Sequence, residues 1–82
     1  MMPIQDLLHR VRWDPEFGKG NWVLGYFDRP TGAIVRVPFK NVRFPAGDHF
    51  SVETIEADGT IHTVPFHRIR EMWHDDRLVW SR

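Results

Sequence analysis

The sequence predicts an α+β fold: an amphipathic N-terminal helix packed on a small antiparallel β-sheet or partly open barrel of about six strands, arranged as three hairpins. Three observations carry that reading. Apolar residues near the N-terminus recur at helical spacing, the remainder alternates at strand spacing, and turn-forming residues separate the strand-like runs. Eighty-two residues make one domain, residues 1–82, around one core.

Ile4, Leu7, Leu8 and Val11 stand at i, i+3, i+4 and i+7, one face of a helix. Pro3 fits its first turn, Asp6 lies near the positive end, and Arg10 and Arg12 lie near the negative end. Asp14-Pro15 stops the helix, because the residue before proline is pushed out of the α region. Residues 16–21, EFGKGN, are then a loop.

Residues 22–28 and 33–39 read as a hairpin around Arg29-Pro30-Thr31-Gly32. If residue 28 faces residue 33, Trp22, Leu24, Tyr26, Ala33, Val35, Val37 and Phe39 share an inner face. Gly25 then lies opposite Arg36, leaving open space beside a guanidinium. Residues 49–56 pair with 60–66 across Asp58-Gly59, with Phe50 and Val52 inward and His49 outward. The third hairpin runs from about Arg68 to Trp80 with Asp75-Asp76 at its tip. Regular alternation puts Ile69, Trp73, Leu78 and Trp80 inside, and Arg68, Arg70 and Met72 outside.

The chain also echoes itself. GAIVRVPFKNVRF (32–44) aligns without gaps on GTIHTVPFHRIRE (59–71). Each copy runs strand, Val-Pro-Phe, then a basic residue, and proline inside a strand marks an edge or a bulge.

Charge narrows the function. Eleven Lys and Arg balance eleven Asp and Glu, so the net charge is zero and broad coating of nucleic acid is disfavoured. Nine of the eleven basic residues are Arg, whose planar fork suits phosphate oxygens, so a local phosphate site fits a neutral protein. With no cysteine, disulfides and thiolate chemistry are excluded, which suits a cytoplasmic location. No apolar run approaches the ~18 residues of a membrane span, and the opening MMPIQDLLHR lacks a signal-peptide pattern.

Among candidate site residues, the five histidines (9, 49, 62, 67 and 74) show no compact ligand spacing, and neither a metal nor another cofactor is expected. His49-Phe50-Ser51 matches H-x-S, but the paired motif of two-histidine phosphoesterases is absent, so a His49/His67 acid–base enzyme is the weaker reading. Asp28 and Arg29 end a strand where polar groups meet solvent, although Asp28 also suits a simple turn cap. His67 and Arg68 follow the second proline; in a regular strand they point to opposite faces. Trp13, just past the helix, is the freest ring for stacking a base, while Trp22, Trp73 and Trp80 fall in core phase.

Several stretches together resemble the RNA cyclic group end recognition domain family. They are Ile4–Leu8 through Arg12-Trp13-Asp14, Tyr26-Phe27-Asp28-Arg29, Val37-Pro38-Phe39, Phe44–Phe50, Pro65-Phe66-His67-Arg68-Ile69 and Leu78-Val79-Trp80. The resemblance implies binding of RNA ends bearing a 2′,3′-cyclic phosphate. The family's fusion to RNA-processing modules, phosphoesterases included, implies RNA-processing enzymes as partners. A cyclic phosphodiester carries one negative charge, so one or two Arg forks, a His donor and a stacked base are enough to hold it. The resulting expectation puts Arg29, His67 and Arg68 on phosphate, with His49 and Arg36 in support. Asp28 steadies the strand end, and Tyr26 or Trp13 stacks beside the terminal nucleotide. A protein-interaction domain pairing through a strand edge fits the same sequence.

Overall fold

The computed structural model describes residues 2–82. It contains one helix and seven antiparallel strands in two open sheets, with no closed barrel. Helix α1 (Ile4–Trp13) follows Pro3, whose carbonyl accepts the amides of Asp6 and Leu7. Asp14 ends it in extended conformation, and the Asp14 carboxylate accepts the amides of Glu16 and Phe17. Ile4, Leu7, Leu8 and Val11 are buried, as their spacing requires.

Strands β1 (Trp22–Asp28), β2 (Ala33–Pro38), β6 (Ile69–His74) and β7 (Arg77–Ser81) form one sheet in the order β2-β1-β6-β7. Strands β3 (Val42–Arg43), β4 (Ser51–Ile55) and β5 (Ile61–Pro65) form the other, in chain order. The expected register of the first hairpin holds, with Asp28 paired to Ala33 and Gly25 to Arg36. The core joins the apolar face of α1 to Trp22, Leu24, Tyr26, Val52, Val64, Ile69, Met72 and Trp80. Val35, Val37, Phe39, Phe44 and Phe66 pack against it.

The internal echo becomes a repeated corner. After β2, Pro38 leads into a 3-10 turn (Phe39–Asn41) and then β3, moving the chain from the four-stranded sheet to the three-stranded one. After β5, Pro65 leads into a 3-10 turn (Phe66–Arg68) and then β6, moving it back. The two prolines adopt nearly the same backbone, φ −58° and ψ 140° against φ −60° and ψ 145°. Proline has no N–H to continue a ladder and its φ is fixed, so both strands must end and turn at the same place.

Three expectations are corrected. The second hairpin begins at Ser51, not His49: the Asp48 carboxylate accepts the Phe50 amide and the Ser51 hydroxyl, which turns the chain before the strand starts. Phe50 is consequently 80% exposed, and Ser51 is buried in its place. His67 and Arg68 lie in the second 3-10 turn rather than in a strand.

The third hairpin changes phase twice. Gly25 pairs with Glu71 but Tyr26 pairs with Ile69, so Arg70 is bulged; Met72 pairs with Trp80 but Trp73 pairs with Leu78, so Val79 is bulged. Each bulge moves the following side chains to the opposite face. Ile69, Met72 and Trp80 therefore point inward, while Trp73 is only partly buried and Leu78 is exposed.

The outer face of this sheet is organised by Glu71, which occupies the space expected to lie open at Gly25. A Cβ on Gly25 would stand 2.7 Å from Glu71 Oε1 and 3.1 Å from Ile34 Cγ2. Glu71 accepts from Trp73 Nε1 at 3.0 Å and from Arg36 Nε at 3.0 Å, and both bonds hold its carboxyl below the ordinary range, the Trp73 bond most. Gly25→Ala must displace this carboxylate. It is expected to destabilise the domain by about 1–3 kcal/mol, read as a lower urea midpoint with unchanged slope.

Candidate nucleic-acid interface

A second stripe runs along α1 beside the apolar one. Gln5, His9, Arg12 and Trp13 stand at i, i+4, i+7 and i+8, and they face residues 44–49 across a groove of about 670 Å³. Phe44, Pro45, Asp48 and His49 line the opposite wall, and Phe66 also contributes. The stripe is what the helix has left over: residues that do not enter the core must share the other faces, and four of them converge on one loop.

Trp13 is 60% exposed, an unusual position for so large a ring. The Arg12 guanidinium sits 4.5 Å from the Trp13 ring centroid and 4.4 Å from that of Phe44. Two aromatic rings thus hold the cation in place. Among the described residues, no carboxylate lies within 4.0 Å of Arg12 to neutralise it. His9 also stands beside Trp13, with 6.4 Å between ring centroids and the rings tilted by 57°. The groove therefore offers an exposed aromatic face, a pre-positioned cation and two imidazoles.

The loop wall is set by Asp48. Its Oδ1 accepts the Phe50 amide at 2.9 Å and its Oδ2 accepts the Ser51 hydroxyl at 2.5 Å. These bonds, that to Ser51 first, hold its carboxyl below the ordinary range. A carboxyl with a depressed folded-state pKa contributes stability above its unfolded pKa, and that contribution is lost as pH falls through the folded value. The Phe50 amide is therefore expected to titrate in proton–nitrogen spectra with a midpoint below the ordinary aspartate range. A midpoint at or above that range would contradict these bonds.

The expected site residues do not all gather here. Trp13 and His49 do, from opposite walls of the groove. His67 and Arg68 directly follow Phe66, a lining residue, and so lie at the adjoining corner. His67 is exposed, and its carbonyl accepts the Arg70 guanidinium. Arg68 has a buried Nε with no hydrogen-bond partner, and no carboxylate within 4.0 Å among the described residues. Leaving a buried donor unpaired costs about 1–3 kcal/mol.

The other four expected residues lie away from the groove. Tyr26 is a core residue, 9% exposed, and its hydroxyl bonds Thr54; a ring packed between the sheets has no free face for a base. Burial raises its pKa, helped by the charges of Asp28 and Glu56. Asp28 caps the turn, its Oδ2 accepting the Thr31 hydroxyl at 2.8 Å, and Arg29 is exposed at that turn. Arg36 is paired with Glu71 at 3.0 Å on the outer sheet face and lies 5.3 Å from the Trp73 ring centroid.

His9 and Arg12 are groove residues beyond those expected from the sequence. Their signal was the second spacing of 5, 9, 12 and 13, the same arithmetic that identified the apolar face. Among the described residues, no group of three or more His, Cys, Asp or Glu is placed to hold a metal ion. Among the same residues, no helix is long and apolar enough to cross a membrane.

No solved structure matches the chain. The family model described as the MJ1316 RNA cyclic group end recognition domain matches residues 1–82, the whole chain. The chain thus belongs to the RNA cyclic group end recognition domain family.

Proposed function

We propose that this domain binds RNA termini carrying a 2′,3′-cyclic phosphate in the groove between α1 and residues 44–49, without converting them. The observation that carries the proposal is the exposed Trp13 ring beside an Arg12 guanidinium that, among the described residues, has no carboxylate within 4.0 Å. Trp13 stacks the terminal base, and Arg12 and His49 contact the cyclic phosphate. Arg68 and His67 reach the adjoining phosphate from the corner after Phe66.

A binding role is favoured over a catalytic one by the state of Asp48. A histidine acting as general base is commonly oriented by a third group. The carboxylate next to His49 is already committed to Phe50 and Ser51. The zero net charge suits a reader of one end rather than a coat along the strand. In this reading the domain presents such ends to RNA-processing enzymes in the cytoplasm, a setting compatible with a cysteine-free chain.

The test is a titration with short RNAs of one sequence ending in 2′,3′-cyclic phosphate, 3′-phosphate or free hydroxyl, followed by tryptophan fluorescence. The cyclic end is expected to bind tightest and to be recovered unchanged. Equal affinity for all three ends, or no binding, would refute end recognition. Conversion of the cyclic end would refute the non-enzymatic part.

A further inference from the structure

Phe50 is the large apolar residue that the proposed site does not yet use. It is 80% exposed, the most exposed of the large hydrophobic residues described. It is also fixed. Its amide donates to Asp48 Oδ1 at 2.9 Å, and its carbonyl accepts the Phe66 amide at 2.8 Å. The next two residues, Ser51 and Val52, are buried at 6% and 0%. Turning the Phe50 ring inward would break two hydrogen bonds and expel part of the core, so the ring is held in solvent.

Its place is at the rim of the groove. Phe50 follows His49 in sequence and is hydrogen-bonded to Phe66, and both of these residues line the groove. We propose that Phe50 is a second stacking platform, which takes the base before the terminal one, so that the ligand is a single-stranded RNA tail and not a lone cyclic nucleotide. This inference rests on the RNA-end reading above and specifies its substrate class.

The surroundings favour a base over a protein partner. Apolar anchors at protein interfaces sit in cores depleted of charge. Phe50 instead follows the exposed Gly47, Asp48 and His49 in the chain, and its carbonyl bond to the Phe66 amide joins it to the turn that carries the exposed His67. An exposed ring on a segment with polar groups and imidazoles suits a single strand, which is held by stacking on aromatic faces with phosphates contacted beside them. A duplex end keeps its last two bases stacked on each other and paired, which leaves no face free for Phe50.

Calorimetric titration with adenosine 2′,3′-cyclic phosphate and with the dinucleotide ApA ending in the same group decides the matter. The wild-type domain is expected to bind the dinucleotide about 10-fold more tightly, the scale of one stacked base. Phe50→Ala should remove most of that advantage while binding of the mononucleotide stays unchanged, and Phe50→Trp should retain it. Because the side chain is in solvent, both variants should keep the wild-type circular dichroism spectrum. An advantage that survives Phe50→Ala overturns the inference, as does equal wild-type affinity for the two ligands. Failure of the wild-type domain to bind either ligand overturns the end-recognition reading as well.

Discussion

Met72→Ala is expected to lower the stability of the domain by about 2–5 kcal/mol, whereas Trp73→Phe should cost about 1 kcal/mol. Plain alternation along the strand makes the opposite forecast, because it places Trp73 inside and Met72 outside. The bulge at Arg70 reverses them. Ile69 and Met72 are both fully buried, with Arg70 and Glu71 between them. Truncating Met72 leaves a cavity between the four-stranded sheet and its neighbours. Trp73 keeps a ring on the outer face when replaced by Phe and loses only its bond to Glu71. The first change puts about a third of the domain's total stability at stake, given the usual range of about 5–15 kcal/mol. Urea unfolding of the two variants distinguishes the two phases directly, and equal losses would argue against the bulge.

Trp13→Ala is expected to weaken binding of cyclic-phosphate RNA about 5- to 150-fold, the range for one base–aromatic stack. Stability should barely change, since the ring is mostly in solvent. The effect on binding is twofold. The stacking face disappears, and Arg12 loses one of the two rings that position its guanidinium. Trp13→Phe keeps a smaller face and should retain part of the affinity. Affinity unchanged in Trp13→Ala would remove the groove from consideration.

The helix and hairpins were legible because their signals are local. Helical spacing of Ile4, Leu7, Leu8 and Val11 needs no knowledge of what covers them, and the first hairpin's register follows from its turn. The Val-Pro-Phe echo was legible as repetition, and the corners show the reason: proline imposes the same stop on both strands. The third hairpin was legible in its extent and its Asp75-Asp76 tip but not in its phase, because a bulge inserts one residue without a residue type that announces it. The start of β4 was missed for a related reason. Asp48 gathers the Phe50 amide and Ser51 hydroxyl, and this local competition delays the start of the strand by two residues, from 49 to 51.

The site divides along the same line. Trp13 was recognisable as a ring just beyond the apolar helix face, and His49 as a polar residue outside the core. The surroundings of Tyr26 and Arg36 were not legible, because their partners come from distant elements, Thr54 in one case and Glu71 in the other. Arg12 acquires its meaning only when the chain brings Phe44 to the helix end.

The indole N–H resonances of the four tryptophans offer the most direct check on where RNA binds. Three of these groups are already hydrogen-bonded: Trp22 to the Phe17 carbonyl, Trp73 to Glu71 and Trp80 to the Met2 carbonyl. Proton–nitrogen spectra recorded during addition of cyclic-phosphate RNA should move the Trp13 indole together with the amides of Arg12, His49 and Phe50. The Trp73 indole should stay in place. Movement of Trp73 and its neighbours Gly25 and Arg36, with Trp13 unaffected, would put the RNA on the outer sheet face and contradict the groove as the binding site.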